Sequence, residues 1–437
     1  MTDRFRPVPQ GRLTRLAALG KLAGGVAAGF VGEGLGRLAR GKRPHLSDLI
    51  LTPGNARRVT EQLSRLRGAA MKLGQMISLD AGDILPSELS AILAELRDRA
   101  HFMPRHQLEK VLDSAWGTGW RRHFARFDMT PIAAASIGQV HRAELASGRT
   151  LAVKVQYPGI AQSIDADIDN VATLLRMSGL IPSTLDITPY LSEAKRQLRD
   201  EADYLREAEM MVRYRDLLEG DLRFIVPKPV DGLLHPTVLA MDFLEGGPID
   251  TLVAAPQPIR NETMGALLDL VLRELFEFGL MQTDPNFANY RWQKDTGRIV
   301  LLDFGATRPI DAESAADYRT LLRATLTDDV ISIRDALMAM GFVSASQATR
   351  HTNEVNKIIE IVVRQLRKSG DGIFDFADRE FVGLIRDRAT PILSDRSSWQ
   401  LPSPDKLFNQ RKISGTSLLM VNMRAQLPLK QMLGRYC

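Results

Sequence analysis

Asp284 and Asn289 stand five residues apart in Gln282-Thr283-Asp284-Pro285-Asn286-Phe287-Ala288-Asn289, and Asp303 follows fourteen residues later in Leu302-Asp303-Phe304-Gly305. The Asn289 amide oxygen and the Asp303 carboxylate are hard ligands, the kind a divalent cation takes when it bridges phosphates. Asp284, a carboxylate close to them in sequence, suits orienting or deprotonating a group that attacks phosphorus. Far upstream, Lys154 closes the apolar run Leu151-Ala152-Val153-Lys154. A lysine on such a strand can neutralise phosphate charge, although taken alone it reads as a strand-edge lysine in water. The seven histidines have no metal-binding spacing, which argues against a zinc hydrolase. A single cysteine, Cys437, excludes an internal disulfide, a cysteine-rich zinc module and a paired redox site.

The elements that must position these residues are legible in outline. Thr52 as N-cap and Pro53 at the first helical position open an early helix, with Val59, Leu63, Leu66, Ala70, Leu73 and Ile77 as its apolar stripe. Residues 86–112 read as more helix, broken at 101–104. Residues 123–128, 139–145 and 150–156 read as short strands, with Ala146-Ser147-Gly148-Arg149 as a hairpin turn. Thr188-Pro189 opens one long helix to about residue 218, residues 237–243 read as a strand, and 261–281 as an apolar helix. Residues 299–302 form a buried strand running into Asp303. From residue 312 onward the chain is helical, with a Pro/Ser-rich interruption at 391–404. Strands and one long helix come first and a mainly helical half follows, an α+β order matching a bilobal protein-kinase-like fold. Lysine, acidic loop and Asp-Phe-Gly occur in the kinase order, each in its expected element.

Departures from an ordinary protein kinase are equally informative. The position of a glycine-rich phosphate loop holds Pro131-Ile132-Ala133-Ala134-Ala135-Ser136-Ile137-Gly138, where each added Cβ restricts approach to phosphate. Gln282-Thr283 replaces the His-Arg before the catalytic aspartate. Only Ala306-Thr307-Arg308-Pro309 separates Gly305 from renewed helical sequence, and no Ala-Pro-Glu occurs. So little chain for an activation segment disfavours peptide phosphorylation.

These departures, with Lys72-Leu73-Gly74-Gln75, Glu201-Ala202-Asp203 and Ala133-Ala134-Ala135-Ser136, resemble the UbiB/AarF family of atypical kinase-like proteins, called ADCK in eukaryotes. The resemblance runs from about residue 40 to the end and includes Arg411-Lys412-Ile413-Ser414-Gly415. Gln282 to Asn286 and Leu302 to Arg308 look closest to its coenzyme Q branch. It implies ATP or ADP and Mg²⁺ as ligands. Asp284 and Lys154 would be catalytic, with Asn289 and Asp303 on the metal. Ala133, Ala134, Ala135, Ser136, Lys154, Glu207 and Met241 would lie at the nucleotide. Met241 to Gly246 resembles a hinge that would hold adenine, and Glu207 resembles the helix glutamate that pairs with the lysine. Read without the resemblance, Glu207 is a solvated helix residue. Lys72, Gly74, Gln75, Glu201 and Asp203 would form a lid over the site where a protein substrate would otherwise enter, with Gln75 near the nucleotide. One part has independent support: Glu201 fills a vacancy on the stripe Leu191, Ala194, Leu198, Leu205, Ala208, Val212, so its carboxylate needs a partner. The family pattern points to Lys72 for that partner.

The chain carries a net charge of +5, and residues 1–43 hold nine basic groups against Asp3 and Glu33, a net of +7. The remainder is near neutral, which argues against nucleic acid as a partner. Three glycine pairs at i, i+4 (Gly20/Gly24, Gly25/Gly29, Gly32/Gly36) make a strip suited to close helix approach. The longest uncharged run, residues 22–32, falls short of the roughly 20 residues a membrane-spanning helix needs. Basic flanks on a weakly apolar helix suit an anionic lipid surface, and a flexible arm without a membrane role is the bland alternative.

Four regions are expected: a basic membrane-associating arm (1–45), a helical extension (46–120), a kinase-like N-lobe (121–247) and a helical C-lobe (248–437). The resemblance implies an ATPase or small-molecule kinase supporting ubiquinone biosynthesis, peripheral to a bacterial inner membrane or, alternatively, the mitochondrial inner membrane. Expected partners are membrane lipid, quinone precursors, the enzymes of that pathway and a second copy of the chain through the glycine strip. A nucleotide-gated scaffold for those enzymes is the alternative function.

Overall fold

The computed structural model describes residues 102–177, 188–368, 372–395 and 404–437. The arm, the early helices and Lys72, Gly74 and Gln75 lie outside the described residues. One compact unit takes the chain up to Arg215 together with Pro227–Leu244, and a second takes Asp216–Val226 with Glu245–Cys437.

The first unit opens with α1 (Arg105–Trp116), which starts after Pro104. The strands β1 (Arg126–Phe127), β2 (Ala133–Ala134), β3 (Gly138–Glu144) and β4 (Thr150–Gln156) follow. Helices α2 (Ile160–Met177), α3 (Thr188–Glu201) and α4 (Tyr204–Leu217) come next. The chain lends β5 (Phe224–Ile225) to the second unit and returns with β6 (Val238–Asp242). The sheet runs β1-β3-β4-β6 with β2 also paired to β3, and every pairing is antiparallel. β4 is one of its inner strands, buried from Leu151 through Gln156, which explains an apolar run with little alternation.

Two sequence expectations change here. The strand expected at 123–128 shrinks to Arg126–Phe127, because Trp120–His123 winds into a 3₁₀ turn that packs Trp120 on Phe124 and Phe127. The single long helix is two, parted at Ala202 and Asp203. Asp203 Oδ1 accepts from the backbone N–H groups of Leu205 and Arg206, both at 3.1 Å, and so caps α4. The restart resets the helical phase. Leu205 and Val212 are 44% and 46% exposed, while Tyr204, Glu207, Ala208, Met211 and Tyr214 face inward.

The second unit carries β7 (Gly247–Pro248) and α5 (Gln257–Arg273), which passes into a π-helical turn at Glu274–Phe278. The helix expected to reach 281 stops there, since the chain turns left-handed at Gly279 (φ 58°) and Leu280–Gln282 forms β8. β9 (Tyr290–Trp292), β10 (Ile299–Leu301) and β11 (Thr307–Pro309) complete two small sheets, ordered β5-β10-β9-β7 and β11-β8. Helices α6 (Ala312–Leu326), α7 (Val330–Ala339), α8 (Ala345–Arg350), α9 (Thr352–Arg367) and α10 (Glu380–Ser394) follow, with β12 (Phe374–Asp375) before α10. α11 (Pro404–Asn422), β13 (Gln426–Leu427) and α12 (Leu429–Gly434) end the chain. Val271, Leu275, Met281, Tyr318 and Met340 form a buried cluster where α5, β8 and α6 meet. No helix among the described residues is long and apolar enough to cross a membrane.

On the β3 face turned away from Lys154, His141 is fully buried and stacks on Phe127 at 5.4 Å. Its Nδ1 donates to the Asp128 carbonyl at 2.8 Å, and its Nε2 accepts from the Gln139 amide at 2.9 Å. Gln139 Oε1 in turn accepts from the Met103 N–H at 2.8 Å, so the relay requires neutral imidazole. Burial is the main cause that pushes the ring down to about 4. Below pH 6.5 the unfolded chain binds a proton that the folded chain refuses, so stability falls as pH drops through 6.5 toward 4. Over the full window the loss is about 3 kcal/mol. Urea unfolding at pH 7 and pH 5 should show wild type losing about 2 kcal/mol more than His141→Gln; equal losses would remove His141 as the cause.

Candidate functional site

In the first unit, Lys154 lies mid-way along β4, opposite Val140 on β3 and Leu239 on β6. Strand alternation puts Ala152 and Met241, a cross-strand pair, on the face that carries Lys154. The lysine is 5% exposed rather than a solvated strand-edge residue. Its Nζ donates to both carboxylate oxygens of Glu207 at 2.8 Å and stands 5.0 Å from the centre of the Tyr204 ring. Glu207 is fully buried in the first turn of α4, where the helix N-terminus also favours a negative charge. The cap at Asp203 therefore fixes which residue of α4 meets the lysine.

The alanine segment forms the exposed edge strand β2 and the turn after it. Ala135 N–H donates to the Gly138 carbonyl at 2.8 Å, closing that turn. Ser136 donates its hydroxyl to Glu201, which is 3% exposed at the end of α3. The inward stripe thus continues through Glu201 as the sequence suggests, and Ser136 is a partner that the sequence does not identify. Gln156 joins the group by donating its amide to the Ala202 carbonyl at 2.9 Å, tying the end of β4 to the joint between α3 and α4.

In the second unit, Asp284 and Asn289 are 8% and 9% exposed on the loop between β8 and β9. Asn289 Nδ2 donates to Asp284 Oδ2 at 3.5 Å, which leaves the Asn289 amide oxygen for a cation. The Leu302 N–H donates to the Asn289 carbonyl at 3.0 Å, so the residue before Asp303 is stitched to Asn289. Asp303 Oδ1 accepts from the Gly305 N–H at 3.0 Å. Two hard oxygen donors on adjoining strand ends suit Mg²⁺. Thr283 donates its hydroxyl to the Ala306 carbonyl at 2.8 Å, and β8 pairs with β11 from Gln282 opposite Thr307. The segment after Gly305 is spent in that ladder, and Asp311 caps α6 straight after it. This is the physical counterpart of the short activation segment.

The sequence reading missed what lies under the loop. Glu274 and Lys412 are buried at 0% and 1% exposure, with Lys412 Nζ 3.7 Å from Glu274 Oε2. Burial alone would lower the lysine, but Glu274, Tyr290 and Asp284 outweigh it and the net direction is upward. Glu274 lies beside Arg273 in a leucine-rich stretch that also carries Asp269, so its burial has no local signal in the sequence.

A family model described as the ABC1 atypical kinase-like domain matches residues 95–337, more than half of the chain. The chain is 36% identical to the mitochondrial atypical kinase COQ8 of Saccharomyces cerevisiae, over 97% of this chain and 84% of that protein. It is 35% identical to the mitochondrial atypical kinase COQ8B of Danio rerio, over 98% of this chain and 68% of that protein. Among solved structures, Rv3197 of Mycobacterium tuberculosis in complex with erythromycin aligns with a TM-score of 0.56 at 25% identity, covering 86% of this chain and 94% of that one. The α+β kinase-like fold, the ordered motifs and these relatives agree, and the chain belongs to the ABC1 (UbiB/AarF) family of atypical kinase-like proteins.

Proposed function

We propose that the protein binds ATP with Mg²⁺ and turns it over, as an ATPase or as a kinase for a small acceptor, in support of coenzyme Q biosynthesis at a membrane. The observation that carries nucleotide use is the Lys154–Glu207 pair, since a buried strand lysine held by a buried helix carboxylate presents one fixed charge. The COQ8 names of the relatives support the pathway. The basic arm, residues 1–45, is the part we assign to anionic lipid, either at a bacterial inner membrane or at the mitochondrial one that the relatives' names favour. Quinone precursors, the enzymes that modify them and a second copy through the glycine strip are the proposed partners. The four-region division given above is retained in this reading.

Lys154 neutralises phosphate charge, and Glu207 keeps its ammonium from swinging away. Met241, on the same face of the sheet, packs against the base. Ala133, Ala134, Ala135 and Ser136 cover the phosphates less closely than a glycine loop could. Asn289 and Asp303 would hold a magnesium ion, which would offset phosphate charge. Asp284 accepts the hydrogen bond of the attacking hydroxyl or water and orients it. Lys72, Gly74 and Gln75, with Glu201 and Asp203, serve as the lid that keeps peptides out.

Two measurements test the assignment. ATP with Mg²⁺ at about one hundred times its Kd should stabilise the wild-type protein by about 2.7 kcal/mol, read as a thermal shift. Asp303→Asn should lose the magnesium-dependent part of that shift, and a wild type that responds to neither ATP nor ADP would sink the proposal. Asp284→Ala should keep the shift while turnover drops by about 10²-fold or more. Pathway function that survives in cells carrying this variant would instead favour the nucleotide-gated scaffold.

A further inference from the structure

The loop bearing Asp284 and Asn289 begins at Gln282 and ends at Tyr290, and one ammonium group holds both ends. Lys412 Nζ donates to Gln282 Oε1 at 3.1 Å and to the Tyr290 hydroxyl at 2.7 Å. Glu274, whose Oε2 lies 3.7 Å from that ammonium, takes the Gln282 N–H on Oε1 at 3.3 Å. Four buried groups from α11, the π turn, β8 and β9 thus close on one point beneath the loop. The backbone of α11 also lies against it: a Cβ on Gly415 would stand 2.1 Å from Pro285 Cβ, which no substitution accommodates without displacing the loop. A buried ion pair is weak evidence for stability, since apolar residues of similar volume often do as well. What this pair adds is geometry, because its ammonium donates to groups on both sides of Asp284.

We infer that Lys412, balanced by Glu274, is a positioning residue that fixes the Asp284–Asn289 loop for turnover. The inference rests on the proposed ATP turnover for its kinetic readout but not for its structural one.

The test uses the full-length protein and three variants. In Lys412→Met/Glu274→Gln neither partner is left as an unpaired buried charge, so the thermal midpoint should return close to wild type and exceed that of Lys412→Met. Turnover in the double variant should stay reduced by about tenfold or more, with KM for ATP changed by less than about threefold. Recovery of wild-type kcat along with stability would overturn the inference and leave the pair a merely structural contact. Tyr290→Phe, which removes one hydrogen bond and keeps the ring, guards against a double variant that fails to fold. It should lower kcat, reduce the thermal midpoint less than Lys412→Met does, and speed amide hydrogen exchange across Thr283–Asn289 by about tenfold. Exchange as slow as in wild type would overturn the inference. If wild type lacks turnover with magnesium ATP, the functional proposal fails and the exchange measurement still decides on the anchor.

Discussion

An ammonium group placed on an inner strand of a sheet is costly unless a carboxylate meets it, and Glu207 meets Lys154 with both oxygens. Much of the first unit follows from that requirement. The carboxylate must reach the strand from a helix whose phase is correct to within one residue, and Asp203 sets the phase by starting α4 where it does. The chain before the cap is fixed as well, through Gln156 on the Ala202 carbonyl and Ser136 on Glu201. The alanine turn, the strand lysine and the joint between two helices therefore form one hydrogen-bonded body. A shift in any of them is felt by the charge that would face a phosphate.

The second unit solves a different problem, that of holding two buried oxygen-bearing residues on a loop. Loops are ordinarily the adaptable part of a fold. Here the loop is bounded by strand pairing on one side and by the Leu302–Asn289 backbone bond on the other, with the Thr283 hydroxyl spanning to Ala306. Arg308 and Arg411, both buried, stack over Phe408 at 4.3 and 5.6 Å, so the helix that supports the loop is itself packed on the strand following Asp-Phe-Gly.

The chemistry was more legible in the sequence than the geometry that aims it. Lys154, Asp284, Asn289 and Asp303 stand out as candidates by type, order and spacing, and the hairpin around Lys154 by alternation and a Gly-containing turn. The helix after Thr188 was misjudged because Leu205 and Val212 extend the apolar period without a break, whereas the Asp203 cap restarts it. A short polar residue inside a periodic stretch is a stop-and-start signal that hydrophobic counting overlooks. The stretch near residue 280 was misjudged for a related reason: the short, mostly apolar run from Leu275 to Met281 suits helix and strand alike, and the left-handed Gly279 separates the two. Lys412 is part of a segment that carries the family resemblance, but its burial is not legible because its partners lie 122 to 138 positions away.

The π turn at Glu274–Phe278 makes the spacing of this region as important as its composition. A π turn accommodates one residue more than the α turn it replaces, and everything beyond it is rotated accordingly about the helix axis. Deleting a single residue there would restore an ordinary helix and carry Gly279 and the start of β8 to a different side, whichever residue was removed. Chain length between Arg273 and Gln282 is thus set by the fold. Homologous chains should vary the side chains of this segment more readily than its residue count.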